Sequence, residues 1–234
     1  EAPVTFDLHA PDGFFSVPVA LIMWAVAIAV VALSVRRASR SFDERAIPLM
    51  GVTAAFIFAA QMVNFPVLGG TSGHLLGAVL AAILLGPWAG TLVMASVIAV
   101  QSLVFQDGGL LAMGANIVNM GLVGTIGGYA IYRTTARVLG GEEKRRLPAA
   151  AIAAWSAVML GAAAASFELA FSGTTTLAVV LPAMLGTHAL IGIGEALIIV
   201  GALALIQSAR PDLLQLRDVR GATPTGPAIE MIES

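Results

Sequence analysis

The chain has 234 residues, 58% hydrophobic and 11% charged, with a mean hydropathy of +0.92, a balance that excludes a water-soluble globular domain and points to a multi-span membrane protein. Its lack of cysteine excludes disulfides, thiolate metal sites and thiol nucleophiles, so any bound metal needs nitrogen and oxygen donors. The net charge of −2 says little by itself, but the positions of the charges say a good deal.

In chain order, residues 1–16 read as a polar extracytoplasmic segment, too acidic and too poor in apolar residues for a signal peptide. Residues 17–35 are apolar over a spanning length and run directly into Arg36, Arg37, Arg40 and Arg45, a cytoplasmic anchor. Ala25 and Ala29, four apart on this helix, leave room for close packing against a partner. Residues 47–65 form a second span, ended by Pro66, Gly69 and Gly70. Residues 73–85 make one short third helix, broken at Gly86 and Pro87 before residues 88–105 continue as the fourth. After the polar turn 106–109, a fifth span over 113–132 is rich in glycine. A basic loop with Arg133, Arg137, Lys144, Arg145 and Arg146 leads to a sixth span, 149–171. The seventh, 177–207, is long, with an extra turn or break expected near Pro182 and Gly186. The segments are thus an extracytoplasmic stretch 1–16, a transmembrane metal-binding domain 17–208 and a mobile cytoplasmic tail 209–234.

Charge then sets orientation. With the N-terminus outside, all twelve Lys and Arg fall in cytoplasmic segments, which predicts an all-α polytopic bundle of about seven transmembrane helices, N-out and C-in. The same assignment puts His9, His74 and His188 in or near the outer half. A retinal protein is excluded, because the one lysine, Lys144, lies in a loop and cannot form a Schiff base within a helix.

Polar groups inside a bilayer are costly unless paired. Gln61 and Asn64 are three apart and share a helix face, Gln101 lies near the outer end of the fourth helix, and Asn116 and Asn119 repeat the three-residue spacing on the fifth. They read as interhelical hydrogen bonds that fix packing or, converging on His74, as groups orienting a ligand. His188 and Glu195, seven apart on the last helix, are a candidate polar pair, with Glu168 a second possible partner for His188. Asp107, in an outer turn, is assigned no role.

Four strings, HAPDGFFS, SGHLLGAVLAAILLGPW, QDGGLLAMGANIVNMGLVG and LGTHALIGIGEALI, together resemble the substrate-capture (S component) subunit of cobalt and nickel energy-coupling-factor transporters, the CbiM/NikM family. The resemblance runs from about His9 to Gln207. It implies a multi-pass subunit in a prokaryotic plasma membrane that captures cobalt(II) or nickel(II) outside, cobalt import serving cobalamin biosynthesis. A membrane coupling (T) protein, paired ATPase subunits and a small accessory membrane subunit are the implied partners, and ATP acts only through them. In that family the motif histidine follows the initiator Met, so its ring nitrogen, its backbone nitrogen and the free amine bind the metal with a second histidine; here these map onto His9 and His74. Four nitrogens in a plane suit Ni(II), and Co(II) can occupy a similar site. PDGF after the histidine is closer to the nickel-type spelling. Leu8 stands where the family has Met, and EAPVTFD precedes it. The amine ligand therefore exists if Leu8 is the true start; if the preceding residues are retained, the alternative is a scaffold subunit of a larger complex that has lost metal binding. No GxxxxGK[ST] loop and no HExxH pair occurs, so an enzyme is not expected.

Overall fold

The computed structural model describes residues 9–40, 46–62, 65–67, 71–73 and 75–215, and it is a helical bundle. Helix α1 (Val17–Ser39) starts where Ser16 is extended and Pro18 sits in the first turn, and it ends on Arg36 and Arg37, whose charges suit a helix C-terminus. Its buried positions are Ala20, Ala27, Ser34 and Ala38, a small-residue stripe that lets α1 lie close to its neighbours. Ala25 and Ala29 lie on the exposed side.

Helix α2 (Ala46–Gln61) stops short of the expected residue 65. Pro66 cannot continue a helix, and an antiparallel ribbon forms instead: β1 (Phe65–Val67) pairs with β2 (Thr71–Gly73), Phe65 opposite Gly73 and Val67 opposite Thr71. The bundle is therefore not purely helical, and the short helix does not begin at residue 73. Helix α3 spans Ala78–Leu85, entered through Gly77 in the left-handed region (φ 73°) and left through Gly86 (φ 83°), after which Pro87 opens α4 (Pro87–Val104). All eight residues of α3 are buried, so a helix too short to span is shielded on every side by protein.

Residues Met113–Val138 form one rod in three parts, α5 (Met113–Asn116), a π-helical stretch (Ile117–Gly127) and α6 (Gly128–Val138). Small residues let this rod meet α3 closely: a Cβ on Gly128 would stand 2.6 Å from Val79 Cγ2, and one on Gly124 2.8 Å from Ala78 Cβ. Helix α7 (Glu142–Phe171) bends at Arg145, three residues ahead of Pro148, so the expected basic loop is largely helical. Helix α8 (Leu177–Ala209) runs through Pro182 without the expected break, as a membrane helix packed against a neighbour, here α7, can. It is followed by α9 (Asp212–Gln215), whose Leu214 is buried in the core, so the expected mobile tail does not begin at 209; residues 216–234 lie outside the described residues.

Among the described residues four helices are long and apolar enough to cross a membrane, Val17–Ala38, Pro87–Val104, Arg145–Phe171 and Leu177–Ala209, with Ile47–Gln61 a shorter apolar helix. The chain is a multi-pass membrane protein. Its main core gathers α3, α4, α6, α7 and α8.

Candidate metal centre

The polar residues collect at the end of the bundle where α1 and α5 begin and α4 and α7 end. His9 is buried there, 3% exposed although it belongs to the segment ahead of α1. Its Nδ1 lies 3.2 Å from Asp107 Oδ1, within ion-pair distance. The loop that brings Asp107 in is shaped by Gly108 at φ +88°, where a Cβ would stand 2.7 Å from His9 Cβ and 3.2 Å from Asn116 Nδ2. Backbone and side-chain bonds fasten the two strands of chain together: Gly109 N donates to Ala10 O (3.2 Å), and Asn116 Nδ2 donates to the same carbonyl (3.4 Å).

Asp12 completes the fastening. Its carboxylate accepts from Leu110 N (3.0 Å), Leu111 N (2.8 Å) and Ala112 N (3.1 Å), the amides that precede α5 and have no acceptor within that helix. Trp24 Nε1 donates to Leu110 O (3.1 Å), and Thr174 Oγ1, after α7, donates to Phe14 O (2.5 Å). Three elements thus hold the His9 segment in place.

A second set of bonds fixes the chain directly after residue 74. Gln61 Nε2 donates to Leu76 O (2.8 Å), and Gln101 Nε2 donates to Gln61 Oε1 (2.9 Å). From the other side, Leu76 N and Gly77 N donate to the two oxygens of Glu195 (2.7 and 2.9 Å), a side chain near the middle of α8 and 1% exposed. The two sets join through Gln101, whose backbone carbonyl accepts from Asp107 N (3.0 Å). Hydrogen bonds therefore run from Glu195 through Leu76, Gln61 and Gln101 to the loop beside His9.

The expected residues divide accordingly. Gln61, Gln101 and Asn116 belong to this network. Asn119 does not: its Nδ2 donates to Glu168 Oε2 (2.8 Å), bridging the π-helical stretch to α7. The expected pair of His188 with Glu195 is not formed, because His188 Nδ1 bonds Met184 O one turn back on its own helix (2.8 Å) and Glu195 is taken by the 76–77 amides. Glu168, engaged with Asn119, is not the partner of His188 either. His74, Asn64 and Leu8 lie outside the described residues. Among the described residues no three His, Cys, Asp or Glu side chains gather as a metal cluster.

Sequence reasoning missed Asp12, Asp107 and the backbone role of Glu195. The neighbouring glycines of Asp107 were the available signal, since a turn forced by Gly108 and Gly109 can fold a carboxylate back over another segment. Electrostatically the site suits a cation. Asp12, Asp107 and Glu168 lie at this end, whereas the described arginines lie in or just after the last turns of α1 and α8, within α6, or at the start of α7.

The chain is similar in sequence and fold to known proteins. The family model described as the cobalt uptake substrate-specific transmembrane region, CbiM, matches residues 9–213. A protein of Archaeoglobus fulgidus, provisionally named fused nickel transport protein NikMN, is 41% identical over 92% of this chain and 70% of its own length. The cobalt transport protein CbiM of Sorangium cellulosum is 29% identical over 93% of this chain and 99% of its own. Among solved structures, a truncated transition metal transporter superposes with a TM-score of 0.78 at 31% identity, covering 86% of this chain and 98% of that one.

Proposed function

This chain belongs to the CbiM family, the cobalt uptake substrate-specific transmembrane region, and from that premise we propose that it is the ion-capturing membrane subunit of an energy-coupling-factor importer for nickel(II) or cobalt(II). The observation that carries the reading is the burial of His9 beside Asp107, held by Asp12 and the 107–112 loop. An imidazole kept out of water in a fixed orientation is a prepared nitrogen ligand, and a carboxylate next to it offsets part of the dication's charge. His74 supplies a second ring nitrogen. The glutamine chain and Glu195 fix the residues that follow it, so the ion meets ligands already ordered and loses less entropy on binding.

The ion enters from outside, the N-terminal segment being extracytoplasmic, and seven helical segments cross or enter the bilayer with the C-terminus inside. The confinement of the described arginines to the opposite end supports this orientation. Because the chain is free of cysteine, single substitutions test it directly: Thr174→Cys should react with an impermeant maleimide added outside, and Ser208→Cys only after the membrane is opened. Energy comes from a coupling membrane protein with paired ATPases, consistent with the lack of a phosphate-binding loop, and the fused name of the Archaeoglobus relative supports association with a further transport component.

Nickel(II) and cobalt(II) binding by the purified full chain in detergent, read by equilibrium dialysis with elemental analysis, tests the reading. His9→Ala and His74→Ala should each abolish tight binding while the thermal melt stays cooperative. Wild-type affinity in either variant would overturn it.

A further inference from the structure

We propose that Glu195, from the middle of α8, is a positioning residue for ion capture: by accepting both the Leu76 and Gly77 amides it fixes the backbone that follows His74, and with it the affinity and lifetime of the bound ion. The proposal rests on the capture reading above and adds to it a residue on a helix distant in sequence from both histidines. Three observations carry it. The carboxylate is buried and bidentate, with 2.7 and 2.9 Å bonds to two consecutive amides, a geometry that fixes a peptide plane in direction as well as place. Those amides are the last before α3, so they have no acceptor within a helix, and the positive end of the α3 dipole favours a negative group there. The Leu76 carbonyl is held from the opposite side by Gln61, so this short piece of chain is clamped between α2 and α8 two residues after His74.

A carboxyl group in mid-helix is costly inside a membrane, and a residue kept only for packing would not need one. What its two oxygens supply is a double acceptor. A glutamine can accept one amide proton through its oxygen but turns an N–H toward the other, so Glu195→Gln loosens the clamp without changing side-chain size. His188, seven residues away on α8, bonds its own helix and cannot stand in.

The test measures nickel(II) affinity and dissociation rate, the visible spectrum of the nickel complex, thermal stability and amide hydrogen exchange in the purified full chain. Glu195→Gln should weaken affinity about 10- to 100-fold, the usual effect of removing a group that orients a metal ligand. It should also speed dissociation, speed exchange in a peptide covering Leu76 and Gly77, and leave the spectrum unchanged because the donors are unchanged. Gly90→Ala, which crowds the Ala81–Ala82 backbone at the middle of α3, serves as a destabilised control. A folded Glu195→Gln chain with wild-type affinity overturns the proposal, as does an equal loss of affinity in a Gly90→Ala chain of matched stability. Should Glu195→Gln fail to fold, Glu195→Asp keeps both acceptor oxygens but shortens their reach: weakened binding supports the proposal and wild-type binding overturns it. His74→Ala, run in parallel, separates the two readings. If wild type binds no nickel or cobalt, or if His74→Ala binds as wild type does, the capture reading itself fails, whatever the exchange data show for Glu195.

Discussion

Replacing Gly108 with alanine should weaken metal capture through a steric effect that can be isolated. Gly108 has φ +88°, a conformation that costs an L-residue about 1–2 kcal/mol. The new Cβ would also stand 2.7 Å from His9 Cβ, 3.2 Å from Asn116 Nδ2 and 3.4 Å from Ser102 Oγ. Carbon atoms rest at about 3.5–4.0 Å, and His9 Cβ is bonded to the backbone, so no rotamer change relieves the overlap. The segment bearing His9 has to withdraw, at the roughly 1–3 kcal/mol typical of overpacking a filled site. The backbone part is measured separately by Gly173→Ala, which has φ +73° but nothing within 4 Å of the added Cβ. If the steric part falls on the bound geometry, nickel(II) affinity drops about 5- to 150-fold beyond any change in the control. Competition against a chelating dye in detergent measures it, with thermal melts alongside. Wild-type affinity in Gly108→Ala, or an equal loss in Gly173→Ala, would refute the argument that the loop and His9 are packed as one unit.

Asp12→Ala removes the acceptor of three amides ahead of α5, so it should cost about 1–2 kcal/mol in stability and also weaken nickel binding; a lower melting temperature with full affinity would separate the clamp from the site. His188→Ala should leave nickel affinity unchanged, because the ring bonds Met184 O on its own helix; a tenfold loss in equilibrium dialysis would show that it serves the site after all. Gly114→Ala would place a Cβ 2.7 Å from Trp24 N and 2.8 Å from its Cα, so α1 must shift. A loss of about 1–3 kcal/mol follows, which for a chain of this size lowers the melting temperature by several degrees in differential scanning fluorimetry.

The helical segments were legible because length and hydropathy are additive properties of a stretch of chain, and because Gly86 with Pro87 and the polar turn at 106–109 interrupt it plainly. The ribbon at 65–73 was not, since Pro66 says where a helix stops but not that the chain next pairs with itself. Pro182 misled for the opposite reason: a missing amide donor need not break a helix whose sides are packed by a neighbour.

The site divides along the same line. His9 and the amide-bearing residues Gln61, Gln101, Asn116 and Asn119 stand out in sequence because polar side chains are rare in this composition. Which polar group meets which does not. Asp12 bonds amides about a hundred positions away, Asp107 reaches His9 across a comparable gap, and Glu195 reaches Leu76 across 119 residues, so each pairing depends on how deeply the helices sit and how they are turned about their axes. The apolar segments do not encode that rotation: α8 is apolar nearly all round, and a helix without a polar face carries no periodic signal to orient it. The sequence alone determined a multi-pass bundle, its breaks and its histidines. The tertiary structure decided the partners, because satisfying a buried carboxylate or amide is a property of three dimensions.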